Sequence, residues 1–262
     1  MMMRTGGLRT VRRMCSACAS TAPRRTVAHV DGSPVLIHNL AKYYYDARPL
    51  EAPAGARDGG NGDITGFRVW ESAPNLIRYL DRHRSIVRSQ TVLELGSGTG
   101  AVGLSAAAFG ADHVVLSDAD STVTLAGEHG WDERSRLTML RDNIRLNGER
   151  GAAMSVEPLR WGDDAHIVAL RTRWPAGFST IVASDVLYAP RMYEALQKTI
   201  HALAAQEASV VLSFPVRHGE EHTFADRLAP AFELVRREDD APPSTAAKAS
   251  LRIIELKRGN DL

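Results

Sequence analysis

V-L-E-L-G-S-G-T-G-A-V-G, residues 92–103, decides the fold of this chain. A short apolar run carries an acid near its end, and three glycines at alternate positions lead into a small-residue segment. A buried strand that turns into a helix while its backbone passes close to a ligand has this form. Gly96, Gly98 and Gly100 bring no Cβ and tolerate positive φ, so a ligand can lie against the main chain there. Spacing alone leaves two ligand classes open. Residues 98–103 also fit G-x-G-x-x-G, which presents a helix N-terminus to a dinucleotide pyrophosphate. Glu94 beside the turn would repel that pyrophosphate and suits a cationic group instead.

Outward from the turn, strand and helix patterns alternate. Strands are predicted at 91–95, 113–117, 154–158, 180–184, 209–214, 233–237 and 250–256. Helices are predicted at 72–84, 101–109, 135–148, 190–205 and 220–231, with Pro190 in a first turn. This alternation implies a mostly parallel sheet covered on both faces. The last strand is reached without a helix, so one antiparallel strand is expected near an edge. Two short strands, 25–30 and 35–40, flank the turn Asp31-Gly32-Ser33-Pro34 and make a hairpin. The stretch E-A-P-A-G-A-R-D-G-G-N-G-D, 51–63, is a loop by composition. The expected fold is α/β: a Rossmann-like three-layer sandwich with seven strands and an N-terminal β-hairpin. One domain spans 25–262, with hairpin and loop in 25–65, a core in 66–262, and a basic leader, 1–24, ahead of it.

Length and composition agree with one such domain. No apolar run reaches the length of a membrane span, so no membrane partner is expected. The first thirty residues hold six arginines and no acid, which leaves 26 basic against 31 acidic residues in the remainder. A mildly acidic body argues against a non-specific grip on nucleic acid. Cys15 and Cys18 form a C-x-x-C without the second pair that a zinc site needs. Leu8, Val11, Cys15 and Cys18 would share one face of a helix. The leader therefore resembles a mitochondrial targeting peptide, or else is a disordered tail, and the expected location is mitochondrion or cytoplasm. A monomer is expected.

Three further constellations carry chemistry. Asp118 ends the run V-V-L-S about twenty residues beyond the glycines, where an acid takes the two hydroxyls of a ribose. Asp120 is the alternative, and either could instead cap the next segment. Leu159-Arg160-Trp161-Gly162 follows a strand end. Trp161 can cover an adenine, with Asp163 and Asp164 near enough to accept a hydrogen bond, or can fill the core. Ser184-Asp185-Val186-Leu187-Tyr188 closes an apolar strand at its carboxyl end, facing the crevice where ligands bind. An acid and an aromatic ring there suit a cationic amine, although Asp185 could also cap the helix entered at Pro190. His218, Glu220, Glu221 and His222 are metal-type side chains whose spacing fits no standard zinc helix. They are read as a solvated helix start, and no metal is expected.

E-L-G-S-G-T-G, Asp118, L-R-W-G and S-D-V-L-Y together resemble the seven-β-strand methyltransferases that use S-adenosylmethionine. The upstream G-F-R-V-W-E-S-A, with Trp70, is similar to the signature of one branch, the methyltransferase-like protein-lysine methyltransferases. D-N-I-R-L-N (142–147) and an arginine after a late strand, Arg217, also match that branch. The resemblance covers the chain from about residue 25 onward. It implies that Glu94, Gly96, Gly98 and Gly100 contact the methionine end of the cofactor. It also implies that Asp118 holds ribose, that Trp70 and Trp161 pack along the cofactor, and that Ser184 belongs to the same site. Asp185 and Tyr188 would face the acceptor. The chain departs from the branch in its long 51–63 loop and in an insertion-like stretch between Asp118 and Arg136. D-V-L-Y also stands where related enzymes acting on planar nitrogens carry N-P-P-Y.

The activity so implied is methylation of a lysine in a protein substrate. The amine must shed its proton before attack, since its unperturbed pKa is near ~10.4. Asp185 would position it and Tyr188 would wall the channel. Two alternatives stand beside this: a methyltransferase of another protein side chain or a small molecule, and a non-catalytic methyltransferase-like assembly or binding module. The intact glycine turn, Asp118 and D-V-L-Y speak against the last.

Overall fold

Apolar residues recur at alternate positions or in unbroken runs wherever a strand forms, and at helical spacing between them. β1 (Arg24–Val30) and β2 (Ser33–His38) make the N-terminal hairpin. Then follow α1 (Ser72–Arg82), β3 (Thr91–Leu95), α2 (Ala101–Ala108) and β4 (His113–Asp118). A second hairpin, β5 (Thr122–Gly127) and β6 (Gly130–Ser135), leads into α3 (Arg136–Asn147) and β7 (Ala153–Pro158). The remainder is α4 (Asp164–Arg173), β8 (Phe178–Ser184), α5 (Tyr193–Leu203), β9 (Ala204–Pro215), α6 (Phe224–Leu228), β10 (Phe232–Asp239) and β11 (Leu251–Arg258). The computed structural model describes residues 24–30, 32–38, 65–120, 122–127, 130–148, 153–217, 219–229, 231–239 and 250–259. The leader with Cys15 and Cys18, the 51–63 loop, His218 and the side chain of His222 lie outside the described residues.

Seven strands form one sheet in the order β10-β11-β9-β8-β3-β4-β7. All neighbours are parallel except β11, which runs antiparallel to both β9 and β10. The expected single antiparallel strand is thus the last in the chain, one place in from the edge. β3 is an interior strand, and its alternation sorts the molecule into two cores. Leu93 and Leu95 join Ile167, Leu196, Ile200 and Phe224 under α4, α5 and α6. Val92 joins Leu76, Leu80, Val102 and Leu140 under α1, α2 and α3, together with Val35 and Ile37 of the hairpin. The two-residue period of a strand puts Glu94 on the Val92 side, so an acid is carried into an apolar layer.

The structure departs from the sequence reading in the linking elements. α4 was not expected, because only Ile167 and Leu170 of its ten residues are buried and the apolar stripe is thin. Its start was legible: the Asp163 carboxylate accepts the His166 N–H at 3.1 Å, an N-cap. Asp164 in turn pairs with Lys198 at 2.7 Å. The insertion-like stretch after Asp118 folds as the β5–β6 hairpin, paired from Thr122↔Ser135 to Gly127↔Gly130. The predicted helix 190–205 is a 3-10 turn (Pro190–Met192) followed by α5, and β9 already begins at Ala204. The predicted helix 220–231 is a 3-10 turn (Glu220–Thr223) and the short α6, ended ahead of Pro230. β2 starts at Ser33, because the hairpin turn is shorter than the sequence suggested.

One side chain ties the first hairpin to the core. Asn147, the last residue of α3, donates from Nδ2 to the Leu36 carbonyl at 2.7 Å. Its Oδ1 accepts the Leu36 N–H at 2.8 Å. A carboxamide thereby stands in for the next strand along the edge of β2. Replacing Asn147 with Ala should destabilise the fold by about 1–3 kcal/mol in urea unfolding. Amide exchange at Leu36 should rise with it, and unchanged Leu36 protection would refute the role.

Candidate active site

The chain runs from β3 to β4 and β7 on one side, then crosses to β8 and β9 on the other. The carboxyl ends of β3 and β8 therefore border a topological switch point, the place where open α/β sheets bind ligands. Four of the motifs lie at such ends: the glycine turn after β3, Asp118 closing β4, Trp161 after β7, and Ser184 and Asp185 at β8. Ser97 and Ser117 prolong the β3–β4 pairing into the turn. Ser97 N–H donates to the Ser117 carbonyl, and Ser117 N–H to Ser97 Oγ, both at 2.9 Å.

Gly96, Gly98 and Gly100 all adopt positive φ, at 62°, 52° and 77°. A Cβ on Gly96 would stand 3.1 Å from Trp161 and 3.3 Å from Val186. On Gly98 it would stand 3.1 Å from the Gly66 carbonyl, and on Gly100 2.9 Å from Leu140. In the fold, the missing Cβ atoms seat L-R-W-G and D-V-L-Y at Gly96, G-F-R-V-W at Gly98, and α3 at Gly100. Asn143 of α3 adds a hydrogen bond from Nδ2 to the Thr99 carbonyl at 2.8 Å, holding the turn from behind. Gly162 N–H donates to Thr199 Oγ1 at 2.8 Å and fixes the turn that carries half-buried Trp161.

Two acids are buried beside the turn. Glu94 Oε2 accepts the Gly103 N–H of α2 at 2.9 Å. Burial pushes its pKa up to about 8, against the lowering by that hydrogen bond. Near neutral pH it therefore holds a proton, which an adjacent cationic group would draw off. Asp118 Oδ2 accepts the Gly98 N–H at 2.8 Å, and Oδ1 pairs with Arg136 Nη1 at 3.2 Å. Burial raises the Asp118 pKa and Arg136 opposes the rise. Asp118 thus binds back to the glycine turn. The alternative acid, Asp120, accepts the Ser135 hydroxyl at 3.3 Å at the base of the β5–β6 hairpin.

Asp185 sits at φ +57° and is held from two sides. Oδ2 accepts the Ser72 N–H at the start of α1 (3.1 Å), and Oδ1 pairs with Arg217 Nη2 (3.2 Å). Its side chain is 10% exposed, against 32% for Arg217. It does accept from a helix N-terminus, but from α1 rather than from the helix near Pro190. Arg217 is braced in turn by buried Glu221, whose Oε1 accepts the Arg217 N–H at 3.1 Å. That overturns Glu221 as a solvated side chain. Val186 and Leu187 are buried, Tyr193 donates from its hydroxyl to the Leu187 carbonyl at 3.2 Å, and Tyr188 stands exposed. Ser184 ends β8 opposite Ser213. Trp70 lies at the surface just ahead of α1, with the Arg68 guanidinium 4.8 Å from its ring centroid.

The sequence reading missed Ser72, Arg136 and Asn143 as site residues. Arg136 acts on an acid 18 positions away and Ser72 on one 113 away. Only the D-N-I-R-L-N match pointed toward Asn143. Among the described residues no acid, histidine or cysteine group is placed to hold a metal, and no helix is long and apolar enough to cross a membrane.

The residues fit S-adenosylmethionine. The glycine turn lies at the end of an interior strand, a buried carboxylate closes the neighbouring strand and bonds to that turn, and a half-buried tryptophan lies against Gly96. Fold and site together define the class of seven-strand S-adenosylmethionine-dependent methyltransferases. Residues 56–231 match the family model described as lysine methyltransferase, and the chain belongs to that family. It is a protein-lysine methyltransferase. It is similar to the mouse protein named EEF1A lysine methyltransferase 3, 30% identical over 178 residues, covering 66% of this chain and 67% of that one. It is also similar to zebrafish Protein N-lysine methyltransferase METTL21A, 27% identical over 168 residues (63% of this chain, 68% of that one). Among solved structures, a putative methyltransferase from Streptococcus mutans shares the fold at TM-score 0.52 and 13% identity, covering 72% of this chain and 49% of that one. Another putative methyltransferase, complexed with SAH, gives TM-score 0.51 at 11% identity, with 72% of this chain and 50% of that one covered. This chain therefore spans about half the length of each of those two structures.

The raised Glu94 pKa makes stability pH-dependent. Unfolded, the acid releases its proton near 4.5; folded, it does so near 8. Its contribution is thus complete below the lower value and is lost as pH rises through the upper one, at no more than about 1.4 kcal/mol per pH unit. Urea midpoints taken from pH 5 to 9 should fall in the native protein and stay flatter in Glu94→Gln. Parallel curves would refute this.

Proposed function

We propose that Asp185 receives the acceptor lysine and that Arg217 and the Ser72 N–H prepare it for that task. The supporting observation is the pinned carboxylate, buried, charge-paired and on a left-handed backbone that costs about 1–3 kcal/mol to maintain. An isolated aspartate would stabilise the ammonium form of lysine and so hold back the proton that must leave. Arg217 offsets that charge. Each carboxylate oxygen still has a lone pair for an amine N–H, so Asp185 directs the nitrogen without clamping its proton. Val186 and Leu187 exclude water beneath it, which also favours the neutral amine.

When bound, S-adenosylmethionine supplies an electrophilic sulfonium methyl and leaves as S-adenosylhomocysteine once the nitrogen–carbon bond has formed. Glu94, Gly96, Gly98 and Gly100 would hold its methionine end, Asp118 its ribose, and Trp70, Trp161 and Ser184 would line it. The protein's own contribution is alignment. Tyr188, exposed beside Asp185, would form a wall of the acceptor entrance. The protein is read as acting as a monomer. The substrate is a protein that presents its lysine on an accessible segment.

Tritium transfer from labelled cofactor into a cell lysate should be abolished by protease treatment, and acid hydrolysis should release methyl-lysine. Recovery of a different methylated residue would refute the acceptor. Asp185→Asn should lower the transfer rate by about a hundredfold. Its cofactor affinity by isothermal titration should stay near native, and native-level transfer would refute the assignment. In Arg217→Met the rising limb of rate against pH should move up by about one unit. No movement would show that Arg217 does not set the amine's protonation. A mitochondrial location follows if residues 1–24 carry a fused fluorescent protein there, and a cytoplasmic one if they do not.

A further inference from the structure

We propose that Arg136 is the positioning residue for ribose recognition: it holds the Asp118 carboxylate in the orientation that takes both hydroxyls. This rests on reading Asp118 as the ribose acid. The Ala119 N–H also bonds to the Asp118 carboxylate, yet a group held by backbone N–H groups of neighbouring turns can still rotate about them. The Gly98 N–H anchors Oδ2 at 2.8 Å and leaves the plane of the group open. Arg136 closes that freedom through Oδ1 at 3.2 Å, from a planar guanidinium that is itself buried. With Oδ2 engaged by Gly98 and Oδ1 by Arg136, the carboxylate is fixed in orientation with acceptor capacity left for a vicinal diol. A buried guanidinium is costly without an opposite charge, and Asp118 supplies that charge.

Gly66 explains how Arg136 reaches this place. A Cβ at Gly66 would stand 2.6 Å from Arg136 Nε and 2.8 Å from its Cδ, so the side chain runs where a methyl would be. The Gly66 carbonyl in turn lies 3.1 Å from the Cβ position of Gly98. Gly98, Asp118, Arg136 and Gly66 thus form a closed ring of contacts between the cofactor turn and the G-F-R-V-W segment. Arg136 is also the first residue after the β5–β6 hairpin, as Asp118 is the last of β4 before it. A pair that merely closed the base of that hairpin would have no bearing on which sugar is bound.

The test separates those roles by the sugar. Isothermal titration of the full chain with S-adenosylhomocysteine and with its 2′,3′-dideoxy analogue measures the preference for the diol. The native protein should prefer the diol by about tenfold or more. Arg136→Met should lose most of that preference, and Arg136→Lys should keep part of it. Gly66→Ala, which displaces the guanidinium without removing it, should behave like Arg136→Met, and it carries the comparison if Arg136→Met proves unfolded by circular dichroism. Full preference retained in folded Arg136→Met and Gly66→Ala overturns the role of Arg136. A native protein with no preference, or an Asp118→Asn variant that keeps it, overturns the ribose reading beneath.

Discussion

At Gly96 a methyl would be crowded by side chains from two other segments. Trp161 and Val186 stand 3.1 and 3.3 Å from the place a Cβ would take. That constraint organises the rest, because it lets the segments after β7 and β8 close onto the turn after β3. The next two glycines do the same for Gly66 and for Leu140 of α3. A substitution at any of them would push apart motifs that lie tens of residues away in sequence. Positive φ at all three makes such a change doubly costly. The turn is therefore the joint at which one half of the sheet meets the other, as well as a surface for a ligand.

Around that joint the buried acids are stabilised in different ways. Glu94 takes its hydrogen bonds from the Gly103 and Val102 N–H groups and from Ser97, while burial pushes its pKa up to about 8. Asp118 is paired with Arg136, and Asp185 with Arg217. Glu221 takes the Arg217 N–H. The arrangement suits a reaction in which a cationic cofactor and a basic acceptor share one crevice. Carboxylates already paired with arginines can orient polar groups without trapping the proton that must leave, and a neutral glutamic acid can ionise when a cation arrives.

Most of the fold was legible because its signals are local. The run from β3 through the glycines to α2 states strand, turn and helix within twelve residues. Strand ends carrying Asp118, Trp161 and Asp185 followed from the same alternation. What escaped had weak or distant signals. α4 buries too little apolar surface to show a stripe, and the β5–β6 hairpin read as an insertion. Asp163 had the right residue type for a ligand partner, yet a helix N-terminus one residue on was a closer claimant. Glu221 looked like part of a charged run until the fold buried it.

The sequence by itself determined the parallel sheet, the bare turn and the residue types at each strand end, because period, glycine content and strand polarity depend on near neighbours. It also carried enough of the family's motifs to name the cofactor. Only the tertiary structure decided which partner each acid takes. Asp118 meets Arg136 because the chain leaves β4, builds a hairpin and returns at the head of α3. Asp185 meets Ser72 and Arg217 because the strand order brings α1 and the end of β9 to the end of β8. Hydrogen bonds act over about 3 Å of space, whatever the separation along the chain. Roles set by such contacts became readable once the sheet had ordered its strands.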